Sequence, residues 1–302
     1  MTEAEFLLAL RRLPLHPAAR GLLDDAALID AGPLVLTTDT LVEGVHFLPD
    51  DTPADVAWRL LATNLSDLAA KGARIEGVLL NYPLRDDAWD RAFLQGFAAA
   101  LAGMDARLIG GDTVSLPAGA PRVLTLTALG SDAVAPSRTA ARAGDALWVT
   151  GTIGDAGAGL AIARGKSGPA ELLAAYRRPQ PRLAEGRALA PVVHAMMDVS
   201  DGLLIDAARL ATASGLAASL DLAAIPLSPA CRAFAGDDRA ARLAAATAGD
   251  DYQLLFALPA ATTPPVAATR VGTLSAGSGL SLHDAGEPLP LPARLGFQHA
   301  AA

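Results

Sequence analysis

The stretch LVLTTDTLVEGVHFLPDDTPADVAWRLLATNLSDLAAK, residues 34–71, decides the fold class. Its first nine residues, Leu34 to Val42, are apolar or β-branched around one aspartate. A period of two then puts Thr37, Asp39 and Leu41 on one strand face and Thr38 and Thr40 on the other. Thr52 followed by Pro53 makes an N-cap and first-turn pair, and Val56, Leu60, Leu61, Leu65 and Leu68 form a helical apolar set within 53–71. The same alternation continues outward. Strands are read at 78–82, 123–129, 146–150, 196–199, 218–222 and 252–257, and helices at 87–103, 154–164, 182–194, 202–214 and 239–247. Strands alternating with helices predict an α/β protein. The segment SDAVAPSRTAARAGD, residues 131–145, is rich in small residues and reads as the connection between an N-terminal α/β domain, 1–135, and a C-terminal one, 136–302. Past residue 260, frequent Pro and Gly predict short strands and loops.

Composition narrows the function classes. With 302 residues, 52% of them hydrophobic and 19% charged, the chain is long and apolar enough to bury a sizeable core. Acidic residues exceed basic ones by 32 to 24, which disfavours a nucleic-acid-binding face. Lys71 and Lys166 are the two lysines, so a mechanism built on several lysines is disfavoured as well. The lone Cys231 excludes an internal disulfide and a cysteine zinc cluster. The opening MTEAEFLLALRRLPLHPAAR has no apolar segment followed by a cleavage site, and the longest uncharged stretch, Tyr252 to Thr269, is broken by Pro259, Pro264 and Pro265. No membrane span is expected, and the expected location is the cytoplasm.

The aspartates carry the chemistry. Asp39 interrupts a strand, where its propensity is poor, so either a local hydrogen bond or a ligand must compensate it. On the helix after it, with Asn64 set at zero and about 100° per residue, Leu60 and Leu68 fall about 40° to either side and Asp67 about 60° away. Asn64 and Asp67 thus point inward, where an ionised carboxylate needs a partner or a metal, while Asp55, Arg59 and Ser66 mark the expected solvent face. Three further segments repeat the theme. RLIGGDT, 107–113, reads as a strand ending in two glycines and Asp112, a β-to-loop junction open to a phosphate. MMDVSDGLLID, 196–206, places Asp198, Ser200 and Asp201 between a strand and a helix, where Ser200 or Asp201 also reads as a helix cap. AGDDYQLLF, 248–256, sets Asp250 and Asp251 before a strand of buried type. Two carboxylates about 4 Å apart repel by about 1 kcal/mol in water and about 4 kcal/mol at an effective dielectric of 20. Five or six converging without cations would be strongly destabilising. Oxygen ligands with few histidines point to Mg²⁺, and carboxylate-held Mg²⁺ points to phosphoryl transfer.

Other motifs are set aside. Gly165-Lys166-Ser167 lacks the earlier P-loop glycine, since residue 160 is Leu160, and it follows a helix. The glycines of VTGTIGDAGAGLA, at 151, 154, 157 and 159, do not fit G-x-G-x-x-G, and tight strand-to-helix packing explains them.

With these motifs on the page, a resemblance becomes specific. DDAAL (24–28), TTDTLVEGVHF (37–47), NLSDLAAKGA (64–73), LIGGDT (108–113), VTGTIGDAGAGLA (149–161), RPQPRLAEGRAL (178–189), DVSDGLLIDAARL (198–210) and AGDDYQLLF (248–256) resemble the thiamine-monophosphate kinase family in that family's order. The family shares a superfamily with aminoimidazole ribonucleotide synthetase, selenophosphate synthetase and the hydrogenase-maturation dehydratase. The resemblance implies two α/β domains, the N-terminal sheet pairing with its twin in a homodimer, and phosphorylation of thiamine monophosphate by ATP with several Mg²⁺ ions. Carried over by motif, it makes Asp25, Thr37, Thr38, Asp39, Asp67, Asp112, Asp198 and Asp201 metal ligands. It sets Gly111, Asp112, Arg138 and Ser200 against ATP and His46 and Asp250 at the thiamine phosphate. The expected reaction is a direct in-line attack of substrate phosphate on the γ-phosphorus, with Asp39, Asp67, Asp112 and Arg138 as its main residues.

The chain departs from the family at Leu23, where glycine is usual, at Asp250, where glutamate is usual, and at Met104, near a usual aromatic. Its tail reads GFQHA, leaving Phe297 as the ring for the thiamine moiety. Selenophosphate synthetase and the hydrogenase-maturation relative each call for a cysteine that is lacking at the position concerned. Another ATP-using enzyme of the aminoimidazole ribonucleotide synthetase type, or a non-catalytic nucleotide-binding relative, remains as an alternative.

Overall fold

The computed structural model describes residues 3–22, 34–131 and 134–299. These fall into two compact units, the described parts of 1–68 with 73–133 and of 69–72 with 134–302. Asp25 lies outside the described residues.

Unit 1 runs α1 (Glu3–Leu10), β1 (Leu34–Val42), α2 (Pro53–Ala69), β2 (Arg74–Leu84), α3 (Asp87–Gly103), β3 (Leu108–Ser115) and β4 (Val123–Ser131). Its sheet has the order β1-β4-β2-β3. β4 is antiparallel to both neighbours, whereas β2 and β3 are parallel. A parallel pair needs a crossover, which α3 supplies. Asp86 starts that helix by accepting the Trp89 N–H at 2.8 Å. The core between helices and sheet contains a chain of rings: Phe6 stacks on Tyr82 at 4.6 Å, Tyr82 meets Phe93 at 4.9 Å and Phe93 meets Phe97 at 5.9 Å. Tyr82 donates its hydroxyl to the buried Asp90 at 2.9 Å, so neither group is left unsatisfied.

Alternation gives this sheet two faces of different character. Leu80, Leu124 and Leu126 are buried toward the helices, while Leu36 is 61% and Val123 42% exposed on the other side, among Thr38, Thr40 and Asn81.

Two local expectations are corrected. The supposed solvent face of α2 is buried, with Asp55, Arg59 and Ser66 all below one-tenth exposed, so the helix is covered all round. Asp55 bears this because Thr52 Oγ1 donates to its Oδ2 at 2.8 Å and accepts its N–H at 3.2 Å, a side-chain cap on the first turn. Asp112 is not at a β-to-loop junction either, because the ladder with β2 continues to Leu84 opposite Ser115. The glycines are absorbed by a register shift between Val78 and Leu79, and Gly111 is required where a Cβ would lie 1.9 Å from the Leu80 carbonyl oxygen.

Unit 2 runs β5 (Asp145–Thr150), α4 (Asp155–Ala163), α5 (Ala170–Arg177), α6 (Leu183–Leu189), β6 (Ala195–Val199), α7 (Leu203–Ala213), β7 (Leu216–Asp221), α8 (Pro229–Ala235), α9 (Arg239–Thr247), β8 (Gln253–Pro259), β9 (Ala268–Ala276), β10 (Gly279–Asp284) and β11 (Glu287–Leu289). The seven strands lie in the order β11-β10-β7-β9-β5-β8-β6. Around β5, β8 and β6 the sheet is buried on both faces, with Leu147, Met197 and Leu255 in one cluster and Met196, Leu254 and Phe256 in the other. In VTGTIGDAGAGLA, Gly154 and Gly159 serve helix-to-helix contact, while Gly151 lies against the Gln253 side chain of β8. A Cβ on Gly154 would meet Ala245 of α9 at 2.4 Å, and one on Gly159 the Leu172 carbonyl oxygen of α5 at 1.9 Å. No helix among the described residues is long and apolar enough to cross a membrane.

In unit 1, α3 approaches α2 closely enough that a Cβ on Gly96 would sit 2.3 Å from the Ala54 Cα. Gly96→Ala gains about 1 kcal/mol of helix propensity but forces two helices apart at a typical overpacking cost of about 1–3 kcal/mol. The variant is expected to unfold at lower urea concentration than the parent; a raised midpoint would show that the helices separate without cost.

Candidate active site

Several of the residues singled out by sequence gather into one group in each unit. In unit 1, β1 and α2 supply Thr37, Asp39 and Asp67. Asn64, fully buried on α2, donates to the Leu60 carbonyl at 2.9 Å and accepts the Asp39 N–H at 3.1 Å, which pins the strand to the helix. One turn further along α2, Asp67 Oδ2 accepts the Thr37 hydroxyl in a short hydrogen bond. Burial, and then the charge of Asp67, push the Asp39 carboxyl up to about 6. Three oxygen donors therefore meet on one side of β1, two of them carboxylates that disfavour each other's charge.

Thr38 and Asp112 stand apart from this trio. The Thr38 hydroxyl lies on the opposite face, donating to the Leu126 carbonyl at 3.1 Å and accepting from Thr127 at 3.1 Å. Asp112 pairs with Asn81, which pairs with Thr125 and through it Thr40, so it shares the open face. β1 and β3 are three strand spacings apart, about 14 Å. His46 follows β1 in a turn, where its Nδ1 accepts the Val42 N–H at 3.0 Å. That bond leaves the ring proton of neutral His46 on Nε2.

In unit 2 the loop after β6 is the centre. Asp198 is buried in β6, the edge strand. Neither Ser200 nor Asp201 caps α7. The N-cap is Gly202, without a side-chain cap, and the fully buried Asp206 in the first turn reaches back over the loop, its Oδ2 accepting the N–H groups of Ser200, Asp201 and Gly202 at 3.1, 3.0 and 3.2 Å. Arg209 Nη1 donates to Asp206 Oδ1 at 2.8 Å and makes a short contact with Asp201 Oδ2, so Asp201 has an arginine counter-ion here. Burial nevertheless pushes the Asp206 carboxyl up to about 6.

The loop then collects the remaining candidates. The Ser200 carbonyl accepts the Asp250 N–H at 2.7 Å, and the Asp201 carbonyl accepts the Phe297 N–H at 2.9 Å. Asp250 and Tyr252 both have left-handed backbones, φ 70° and 49°, and the Tyr252 hydroxyl donates to Asp250 at 3.0 Å. Such residues cost about 1–3 kcal/mol each and persist where their surroundings over-determine them. Here Asp251, buried and with its carboxyl pushed well up by that burial, accepts the Gly154 and Ala156 N–H groups at 2.7 and 3.3 Å, fixing the segment to the start of α4. The Phe297 ring is 43% exposed and meets His299 edge-on at 4.9 Å. Arg138 is exposed, its carbonyl accepting the Ser214 hydroxyl at 2.9 Å.

Sequence reasoning missed Asp206 and Arg209. Their signal was an acid in the first turn of α7 and a base one turn later, the geometry of a carboxylate reaching back over a loop. Among the described residues, no three His, Cys, Asp or Glu groups converge as a metal cluster. The Thr37, Asp39 and Asp67 oxygens still suit a hard cation, because a divalent charge would offset the burial, and then the Asp67 charge, that raise Asp39.

Comparison with known proteins gives this arrangement a class. The family model of the AIR synthase related protein N-terminal domain matches residues 23–131, and that of its C-terminal domain matches 142–283. The chain is a two-domain protein of the AIR synthase related type. It is 38% identical to thiamine-monophosphate kinase of Caulobacter vibrioides over 94% of this chain and 86% of that one. It is 40% identical to thiamine-monophosphate kinase of Salmonella typhimurium over 79% and 76%. The chain belongs to the thiamine-monophosphate kinase family. Among solved structures, thiamine-monophosphate kinase from Stenotrophomonas maltophilia superposes with TM-score 0.79 at 37% identity, covering 89% of this chain and 91% of that one. AaThiL complexed with AMPPCP and TMP superposes with TM-score 0.79 at 29% identity, covering 91% of each chain.

The raised Asp39 carboxyl sets a pH dependence for the metal-free protein. A carboxyl raised in the fold favours folding in its protonated form. That contribution is complete below its ordinary 3.8 and is lost as pH rises through about 6. Asp39→Asn removes the loss. In chelator, its melting temperature is expected to rise relative to the parent between about pH 4.5 and about pH 7.5, by the equivalent of roughly 2 kcal/mol. Parallel melting curves across that range would contradict the placement of Asp39 beside Asp67.

Proposed function

We propose that this chain transfers the γ-phosphoryl group of ATP to thiamine monophosphate, giving ADP and thiamine diphosphate. The observation that carries the proposal is the Asp39–Asp67 pair on β1 and α2, in a chain that matches a structure holding AMPPCP and TMP over nine-tenths of both lengths. An oxygen of the thiamine phosphate forms the new bond to the γ-phosphorus as the bond to the β–γ bridging oxygen breaks, in line, and ADP leaves with that electron pair. The attacking oxygen is already ionised near neutral pH, so no side chain need remove a proton.

In this reading Thr37, Asp39 and Asp67 would hold Mg²⁺, while Asp25, Thr38, Asp198 and Asp201, and Asp112 on the opposite face of the unit 1 sheet, would serve further Mg²⁺ ions. Bound there, Mg²⁺ would neutralise the phosphate oxygens and the charge that develops on them. Gly111 on β3 and the Ser200 hydroxyl would contact ATP, and the exposed Arg138 would lie along its phosphates. Ser200, Asp201 and Gly202 present no spare N–H to a phosphate, because Asp206 already takes all three. At the other substrate, the Nε2–H of His46 would donate to thiamine phosphate, while Asp250 and the exposed ring of Phe297 would receive its organic part. We place the reaction in the cytoplasm, where ATP is held.

We further propose that a homodimer forms across the open face of the unit 1 sheet. Leu34, Leu36, Val114 and Val123 are each more than one-third exposed there, an apolar patch with threonines between.

Purified chain with ATP, Mg²⁺ and thiamine monophosphate is expected to form thiamine diphosphate, and Asp67→Asn to lower the rate by roughly 100-fold or more. Nucleotide binding without product would favour the non-catalytic alternative. Leu36→Glu is expected to halve the mass measured by sedimentation; an unchanged mass would exclude that face as the interface.

A further inference from the structure

Unit 2 carries a groove of about 440 Å³ that shares no residue with the site described above. It lies on the outer half of the seven-stranded sheet. Leu220, Val271, Leu274 and Leu282 point from β7, β9 and β10 into the core beneath α7. Alternation therefore sends Ser219, Asp221, Thr273 and His283 to the opposite side, where Asp221 stands beside His283 and Ser219 opposite Thr273. The walls are the turn of residues 222–224 and the turn at Gly286, with Arg270 along one side.

The walls are fixed in place. Asp221 Oδ1 accepts the N–H groups of Ala223 and Ala285, each at 3.1 Å, so one carboxylate oxygen ties both turns together. Arg242 Nη1 donates to the carbonyls of Leu222, Ala223 and Ile225 at 3.3, 3.0 and 2.9 Å, and Arg239 pairs with Asp284 at 2.8 Å. His283 Nδ1 lies 3.2 Å from Ser219 Oγ, which orients the ring.

Two opposite charges are left over. Arg270 has no ion-pair or hydrogen-bond partner among the described residues, and Asp221 has none beyond the two N–H groups on Oδ1. They line one groove and do not neutralise each other. A plain anion would be held by Arg270 but repelled by Asp221, and a plain cation the reverse. A molecule carrying both charges satisfies both, and the volume lies within the range of small-ligand sites, about 300–1,000 Å³.

We infer that this groove is a second binding site, for a small zwitterion with its phosphate end at Arg270 and its cationic end at Asp221. The zwitterion that the chain itself would supply is thiamine diphosphate, with a diphosphate at one end and a cationic thiazolium beyond it. That choice of ligand rests on the function proposed above; the groove does not.

The test is calorimetric titration of the full-length protein with thiamine diphosphate. The expected result is a binding event that Arg270→Ala and Asp221→Asn each weaken at least roughly tenfold, about 1.4 kcal/mol, with initial phosphorylation rates unchanged. The asparagine side chain keeps an oxygen for the two wall N–H groups, and melting curves check that the variants fold. Inorganic pyrophosphate and thiamine, each with one charged end, are expected to bind there at least roughly tenfold more weakly than the whole molecule. Titrations identical in parent and variants would overturn the site, and pyrophosphate binding as tightly and untouched by Asp221→Asn would overturn the zwitterion. A variant-sensitive event in a protein without kinase turnover would leave the groove standing and remove only the proposed activity.

Discussion

A carboxylate taken out of water must find donors or a cation, at a cost of several kcal/mol if it finds neither. This constraint sorts the acidic residues of the chain into scaffold and site. Asp206 takes three N–H groups and an arginine, Asp251 takes the first N–H groups of α4, and Asp90 takes the Tyr82 hydroxyl and the Arg85 N–H. Each is a buried carboxyl group answered by the fold itself. Asp39 and Asp67 are answered differently, because Asp39 is raised by burial and then by the charge of another acid, with no cation among the described residues to offset either. The fold supplies a threonine hydroxyl to one of them and leaves their mutual repulsion in place.

The scaffold carboxylates make the site carboxylates possible. Ser200, Asp201 and Gly202 hold their shape because Asp206 gathers their N–H groups. The carbonyls on the outer side of that loop then anchor Asp250 and Phe297, which are far apart in sequence. Two left-handed non-glycine residues flanking Asp251 are held by the same arrangement. Asp206 thus positions residues that it does not touch, through three consecutive peptide groups.

How much of this was legible in sequence followed the range of the forces involved. β1 over 34–42, α3 over 87–103 and α9 over 239–247 match the periodic reading residue for residue, because local capping and alternation set their ends. The inward turn of Asn64 was also legible, since an apolar arc flanks it. The burial of Asp55, Arg59 and Ser66 was not, because a helix wheel shows which face is most apolar and says nothing of what covers the rest. α5 and α8 escaped notice in stretches of alanine and small residues, where packing through Gly159 and Gly168 replaces a clear apolar stripe. Nine-residue β9 was read as part of a loop-rich tail, because its partners β5 and β7 lie 50 or more residues away. Asp206 was visible as an acid at a helix start, but its partners are backbone groups, which carry no residue signature.

The departures from the family pattern gain meaning from the same geometry. Asp250 is shorter than glutamate, yet its backbone is clamped to Ser200 and its carboxylate receives the Tyr252 hydroxyl, so its direction is set even as its reach shrinks. The tail GFQHA has lost most aromatic character, but it is held by main chain: Phe297 N–H bonds to Asp201, and a Cβ on Gly296 would meet the same carbonyl oxygen at 2.4 Å. A segment anchored through its backbone tolerates change in its side chains while still delivering whatever ring remains. Phe297, partly exposed and braced by His299, is that ring here. Loss of aromatic residues elsewhere in the tail therefore acts on the area available for stacking, worth about 0.5–1.5 kcal/mol per aromatic pair, and leaves the acidic loop that it borders unchanged.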